Sequence, residues 1–430
     1  MGNTYYWEPD VPYADNDGSD HAGNELRGTA AFEAMQNGWG NAPTLAADDV
    51  VLIKKGNVDL QHYVTLVLDS QQATWATGDA VKDDNGGGEW EGVIAYSDGA
   101  DPTTLYVGLT NCNIGDITPA NGINNTTRTQ KAGIASADIR QLTPTVAGSA
   151  AAGNITFRGV NDTWTEFTAG ADPMDFQVIF DGLVDGGATQ ATYCLLVSTG
   201  PDYVTFENCT FQNASSHNLY FVTNYADYWT LLRCRFASSG GGSGLYSNTM
   251  MRMATIRDCT FRSNAATGIY MPGTYSWLVH CVFADNGTYG IDSPYSGTAI
   301  VGCLCYDNGG DNLRVQSNNC VYGCIFDGSI AGSGVRIDAT VAMIIACRMT
   351  NNNQYGIEQD TANGGSVEDY NVFHGNGVAD LLNMVSGIHS YGDGANHIAD
   401  PADDGYVVGS LNVAEDKELW NAGVLLNWDE

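Results

Sequence analysis

The sequence predicts an all-β solenoid, a parallel β-helix, from two offset ladders and the turn residues between them. Cys209, Cys234, Cys259, Cys281, Cys303, Cys324 and Cys347 recur at steps of 25, 25, 22, 22, 21 and 23 residues, a period that marks repeat architectures. Each opens the phrase C-x-F or a close variant, from NCTFQN to ACRMTN, and YNVFHGNG puts Asn371 in the cysteine place of an eighth copy. The second ladder runs Leu219, Leu245, Ile269, Ile291, Leu313, Val335, Ile357 and Leu381. Around it apolar and polar residues alternate, as in Leu219-Tyr220-Phe221 and Val335-Arg336-Ile337. Period two means strands with one face inward. Asn264, Asn286 and Asn308 follow the aromatic slot by three places, and Gly244, Gly268, Gly290, Gly334 and Gly356 precede the second strand. Both residue types tolerate the left-handed backbone of a sharp corner, the role assigned to them here. Short strands joined by corners, with no room for a helix, bury their apolar side only by winding onto copies of themselves.

Four segments follow in order. Residues 1–68 read as an N-terminal cap and first coil: in GTAAFEAMQNGW, Ala31, Phe32, Met35 and Trp39 share a face at helical spacing, and the strand DVVLIKKG follows. A helix over the open end of a stack hides core and strand edges. Residues 69–135 change to aromatic strands joined by Gly-Asp turns, among them GEWEGVIAYS and TTLYVGLTN, and read as an inserted small antiparallel β module. Residues 136–395 are the coils. Residues 396–430 break the ruler, supply Trp420, Leu425, Leu426 and Trp428, and read as a C-terminal cap. At roughly 4.8 Å per coil, some nine to eleven coils make a rod of about 45 to 50 Å.

Charge limits the partners. The 430 residues carry 17 basic and 50 acidic side chains, a net −33, and no lysine lies between Lys131 and Lys417. Nucleic acid is excluded as an expected partner, because phosphate binding needs clustered cations. The ladder cysteines are read as buried free thiols acting as small apolar residues. Zinc is not expected, since Cys303/Cys305 and Cys320/Cys324 lack histidine partners at ligand spacing. Asp15, Asp17 and Asp20 resemble a calcium loop without the closing bidentate Glu. They are weak metal candidates, and no other cofactor is expected. The start MGNTYYWEPD has neither basic n-region nor apolar run, so the expectation is cytoplasmic synthesis without a signal peptide and no membrane span.

The acidic turn before a helix, the phrases ITFRGVN, VIFDG and YVTFENCTFQNASSHNLYF, the C-x-F coils and the closing DGYVV resemble the right-handed parallel β-helix repeat proteins of the pectate-lyase-like superfamily. The likeness covers nearly the whole chain except residues 69–135, which look most like segments of phage structural proteins. It implies a right-handed, single-stranded parallel β-helix. It implies no one activity, because the fold hosts lyases, hydrolases, epimerases, adhesins and phage surface proteins. The local NTD, GHG and RIK motifs of galacturonan hydrolases are missing from the coils, and so is the aspartate cluster beside a lysine or arginine expected of pectate lyases.

The candidate site is the outward column beside the second ladder: Tyr220, Tyr246, Tyr270, Asp292, Arg314, Arg336 and Glu358. Three stacked tyrosines followed by charges suit a sugar groove. The same residues suit a subunit interface, with Asp292–Arg314 and Arg336–Glu358 as plain ladder pairs. No catalytic residue is assigned. The expected function is a non-enzymatic structural or surface protein of a phage-like virion, a capsid decoration or tail-associated β-helix, with capsid or tail proteins, a polysaccharide and further copies of itself, plausibly as a trimer, for partners. A polysaccharide lyase, hydrolase or tailspike depolymerase, and a bacterial surface adhesin, stay open as alternatives.

Overall fold

The computed structural model describes residues 2–392 except for short stretches, the longest at 12–15, 70–74, 85–89, 98–103, 111–116, 118–121, 169–175 and 183–189; residues 393–430, and with them the expected C-terminal cap, lie outside the described residues. The chain divides into two units, residues 1–168 with 175–215, and residues 169–174 with 216–430. Among the described residues no helix is long and apolar enough to cross a membrane.

In the first unit Thr4–Glu8, Val50–Lys54, Ile155–Val160 and Val204–Glu207 pair in parallel, as do Gly56–Asp59, Val178–Asp181 and Cys209–Gln212. Phe157 stacks on Phe206 at 5.0 Å and Phe180 on Phe211 at 4.8 Å, about the spacing of paired strands. The helix Ala31–Asn37 is buried at Glu33 and Gln36 as well as at Phe32 and Met35. The apolar face expected of a capping helix is buried, and the polar face is covered as well. Glu33 accepts from the Thr143 N–H at 2.6 Å and Gln36 Oε1 from those of Thr145 and Val146, while Gln36 Nε2 is buried without a partner. Trp39 lies beyond its end and stacks on Tyr96 and Tyr106 of the antiparallel module. That module is a seven-stranded sheet around Trp75, Trp90 and Ile94. It takes in Tyr63–Leu68, before the expected 69–135, which pairs with Thr104–Leu109, and Ile134–Ile139, which runs past that range as the edge strand beside it.

The second unit is the regular solenoid. Each coil gives one strand to each of three parallel sheets, for example Trp277–Val279, Val282–Ala284 and Ile291–Ser293, and the coils stack in register. The corner between the first and second strands is a single left-handed residue, such as Asp258, His280, Gly302, Gly323 or Ala346, with φ between 51° and 63°. The ladder cysteine comes next and points inward. Cys234, Cys259, Cys281, Cys303, Cys324 and Cys347 are buried free thiols, each donating to the carbonyl two residues back. Cys347 N–H donates to Asn371 Oδ1 at 2.7 Å, so the asparagine does occupy the cysteine place. Phe236, Phe261 and Phe283 stack at 4.7 and 4.9 Å within 7° of parallel.

The asparagines and glycines of the corners have a different role from the one expected. Left-handed φ belongs to the preceding residues Ser263, Asp285 and Asp307, and neither Asn264, Asn286, Asn308 nor the glycines before the third strand adopt it. The asparagines are buried instead, and their amides run up the stack. Asn264 Nδ2 donates to Asn286 Oδ1, and Asn286 Nδ2 to Asn308 Oδ1, both at 2.9 Å. Each also donates to the carbonyl of the preceding coil's aromatic slot, at 3.1 to 3.2 Å. Asn286 Oδ1 accepts from the Asn264 N–H as well, so all four hydrogen-bonding positions of this buried amide are used.

The glycines make room for that ladder. A Cβ on Gly290 would stand 2.6 Å from the Asn312 carbonyl oxygen and 2.8 Å from Asn308 Nδ2. Where the ladder place holds serine, Ser239 or Ser329, the glycine place one coil earlier holds Asn218 or Asn312. Their amides fill the gap, Asn218 reaching Asn264 at 3.2 Å and Asn312 reaching Asn352 at 3.0 Å. The chain then continues from Asn352 to Asn376 and ends on Asp380, an acceptor. Gly290→Ala is expected to cost about 1–3 kcal/mol by overpacking, read as a lower urea midpoint at unchanged slope.

Candidate functional site

The outer face of the third sheet in the second unit carries the column read from the sequence, and register places all seven residues on successive rungs: Tyr220, Tyr246, Tyr270, Asp292, Arg314, Arg336, Glu358. His217, three residues before Tyr220 at the start of the same strand, His217–Phe221, joins the column out of its alternation. His217 stacks on Tyr246 at 4.4 Å and 20°, and Tyr246 on Tyr270 at 4.6 Å and 13°. Tyr220 is tilted 56° against Tyr246, so the expected three-tyrosine stack is a stack of one histidine and two tyrosines. The Ser243 N–H donates to His217 Nδ1 at 2.9 Å, which leaves the proton of the neutral ring on Nε2. Burial lowers the imidazole pKa to about 4, so the ring is uncharged at neutral pH.

Above the aromatics the column turns ionic; of the two expected ladder pairs Asp292–Arg314 forms, and further pairs were not expected. Arg314 lies 3.5 Å from Asp292 and donates through Nε to Asp338 at 2.5 Å. Arg336 donates to Asp338 at 3.0 Å and to Asp360 at 3.1 Å. Glu358 accepts from the Ser333 hydroxyl at 2.7 Å, so Arg336–Glu358 is not the contact pair expected. The reason is parity: Asp338 and Asp360 follow Arg336 and Glu358 by two residues and share their outward face. Asp338 bridges both guanidinium groups. Asp311 accepts from the Ser333 N–H at 2.7 Å, and burial raises its pKa against the opposing pull of that bond and of Arg336.

Asp292 is the exceptional member. It is 4 % exposed, and its Oδ1 has no hydrogen-bond partner. Burial raises its pKa to about 6, with Arg314 pulling it down and Asp338 and Asp311 pushing it up. This carboxyl sits where the stacked rings end, in register with Tyr270.

Space thus assembles what the linear sequence keeps apart. Five carboxylates, Asp292, Asp311, Asp338, Glu358 and Asp360, meet two arginines on one face. Asp338 and Asp360 were detectable by period two; His217 and Asp311 carried no signal of their own, since a corner residue has no parity. Of the weak metal candidates, Asp15 and Asp17 lie outside the described residues and Asp20 accepts from Asn24 at 3.2 Å. Among the described residues no three His, Cys, Asp or Glu side chains are grouped to hold a metal.

Asp292→Asn tests the electrostatics. With a folded pKa raised above the unfolded 3.8, the wild-type carboxyl loses stability as pH rises from about 4 through 6. The amide is therefore expected to gain on the wild type across that window, by on the order of 1 kcal/mol, and to keep a constant advantage above it. Thermal melts from pH 4 to 8 read this directly.

The comparisons with known proteins bear on the winding. The family model described as a right handed beta helix region matches residues 193–291 and 243–400. No curated protein sequence matches the chain. Among solved structures, the pectate lyase Pel9A is similar at 14% identity over 93% of this chain and 79% of its own, with a TM-score of 0.44. The mannuronan C-5 epimerase AlgE6 A-module of Azotobacter vinelandii aligns at 12% identity over 82% and 88%, TM-score 0.43. A tailspike protein of the Escherichia coli O157:H7 bacteriophage CAB120 aligns at 10% identity over 59% of this chain and 32% of its own, TM-score 0.38. None of these values carries an activity across. With its three stacked parallel sheets and the family match over residues 193–400, this chain is a right-handed parallel β-helix protein.

Proposed function

We propose that this chain is a glycan-contacting β-helix of a phage-like particle surface, binding along the outer face of its third sheet without cleaving what it binds. The observation that carries the reading is the run of parallel rings, His217, Tyr246 and Tyr270, leading to the buried carboxyl of Asp292. Ring faces suit the apolar face of a pyranose, and carboxylates suit its hydroxyl groups. Binding is favoured over cleavage because both arginines are clamped by carboxylates, which removes them as bases. Five carboxylates against two guanidinium groups favour an uncharged, hydroxyl-rich sugar over a uronic-acid polymer. The rigid coil stack suits a post on a particle, with capsid or tail proteins as neighbours.

Cleavage is the second reading, and Asp292 favours it: a buried carboxyl with its pKa raised to about 6 is suited to donate a proton to a glycosidic oxygen. A glycan array followed by calorimetry separates the two. Tyr246→Ala and Tyr270→Ala are each expected to weaken binding about tenfold, roughly 1.4 kcal/mol, with unchanged melting curves. Asp292→Asn is expected to alter affinity without any reducing ends appearing from wild type or variant. Reducing-end release by the wild type that Asp292→Asn abolishes would establish cleavage; no glycan bound by the wild type would refute both readings.

A further inference from the structure

The outer face of the first sheet in the second unit is apolar over successive rungs. Register sets Trp277, Ala299, Cys320, Met343 and Val367 in one outward column. Two residues further along each strand, Val279, Val301, Tyr322 and Ile345 make a second. Over the four rungs from Trp277 to Met343 neither column contains a carboxylate, and Asp369 stands beside Val367 on the fifth. Trp277 is 53 % exposed, Tyr322 52 %, Met343 44 % and Val367 52 %, and Tyr275 at the adjoining corner is 68 % exposed. Single exposed apolar residues are ordinary, but a contiguous apolar sheet face marks an interface.

Charge identifies the occupant. A chain of net −33 repels its own copies over most of its surface, and this face is where two copies approach without opposing carboxylates. In the second column the carboxylate-free apolar run is bounded by Arg257, beyond which comes Leu232, and by Asp369. Copies packed in the same direction set Arg257 level with Arg257. Copies packed in opposite directions set Arg257 level with Asp369, and Trp277 level with Met343, about a two-fold axis between the rungs of Val301 and Tyr322. Arg257 and Asp369 already touch Asp258 and His389 in their own chain, so they choose the direction while the apolar side chains supply the attraction.

We propose that two copies of this chain pair face to face through the first sheet, running antiparallel. The dimer leaves the third-sheet face of both copies open, so it stands independently of the glycan reading.

Light scattering on the eluting full chain is expected to give twice the 45.8 kDa chain mass. Tyr322→Glu, at a half-exposed position, is expected to weaken pairing roughly a hundredfold by burying an unpaired carboxylate, giving the single-chain mass with an unchanged circular dichroism spectrum. Direction is read in a Cys320→Ser background. Trp277→Cys and Met343→Cys chains are expected to cross-link with bis-maleimidoethane when mixed, and neither with itself. A wild type of single-chain or threefold mass, a Tyr322→Glu chain that still pairs, or Trp277→Cys chains that cross-link to one another would each overturn the proposal.

Discussion

The buried amide ladder is the constraint on which the rest of the solenoid depends. A coil without a helix leaves polar backbone groups at each corner, and an unpaired buried group costs about 1–3 kcal/mol. Here the carbonyls of Phe236, Phe261 and Phe283 find their donors in Asn264, Asn286 and Asn308. The same amides bond to one another along the stack, so each coil is fixed in height and rotation against the next. Glycine before the third strand follows from that arrangement, because a Cβ there would strike the amide of the following coil. The Ser239 and Ser329 coils strengthen the point: where the ladder loses its asparagine, an asparagine appears in the glycine place one coil earlier and spans the gap.

Fixed register then determines what the outer faces can do. One residue per coil falls on each outward column, so chemistry on this fold is composed by stacking. Rings repeated on the third sheet become a stack at 4.4 to 4.6 Å. Charges repeated two residues apart become a shared network in which Asp338 holds two arginines. On the first sheet the same rule yields an apolar face bounded by one cation and one anion. Neither face asks anything of the core, which is filled by thiols, aliphatic side chains and phenyl rings whatever lies outside.

This division explains which features could be read from the sequence. The winding was legible because a residue that must point inward on every coil leaves a period, as the cysteines and the Leu219 to Leu381 ladder do. The outward column was legible for the same reason, since Tyr220 through Glu358 hold fixed offsets from that ladder. The Asp292–Arg314 pair was legible too, but the others were not, because they run diagonally between columns, from Arg314 to Asp338 and from Arg336 to Asp360. Asparagine and glycine misled for a chemical reason: both are corner residues by conformational preference, and preference alone does not separate an asparagine chosen for its backbone from one chosen for its amide. The left-handed residues of these corners are Ser263, Asp285 and Asp307, each one place before the ladder.

The most direct measurement is a double-mutant cycle that moves one rung of the ladder. Asn286→Ser alone removes the donors to Phe261 and Asn308, and Gly268→Asn alone drives a side chain into the Asn286 amide; each is expected to lower the urea unfolding free energy by about 1–3 kcal/mol. Together they recreate the arrangement of Asn312 with Ser329, and the account predicts that the double variant recovers most of the loss, a coupling well beyond the ~0.5 kcal/mol of independent sites. A double variant as unstable as the sum of the two single changes would contradict it.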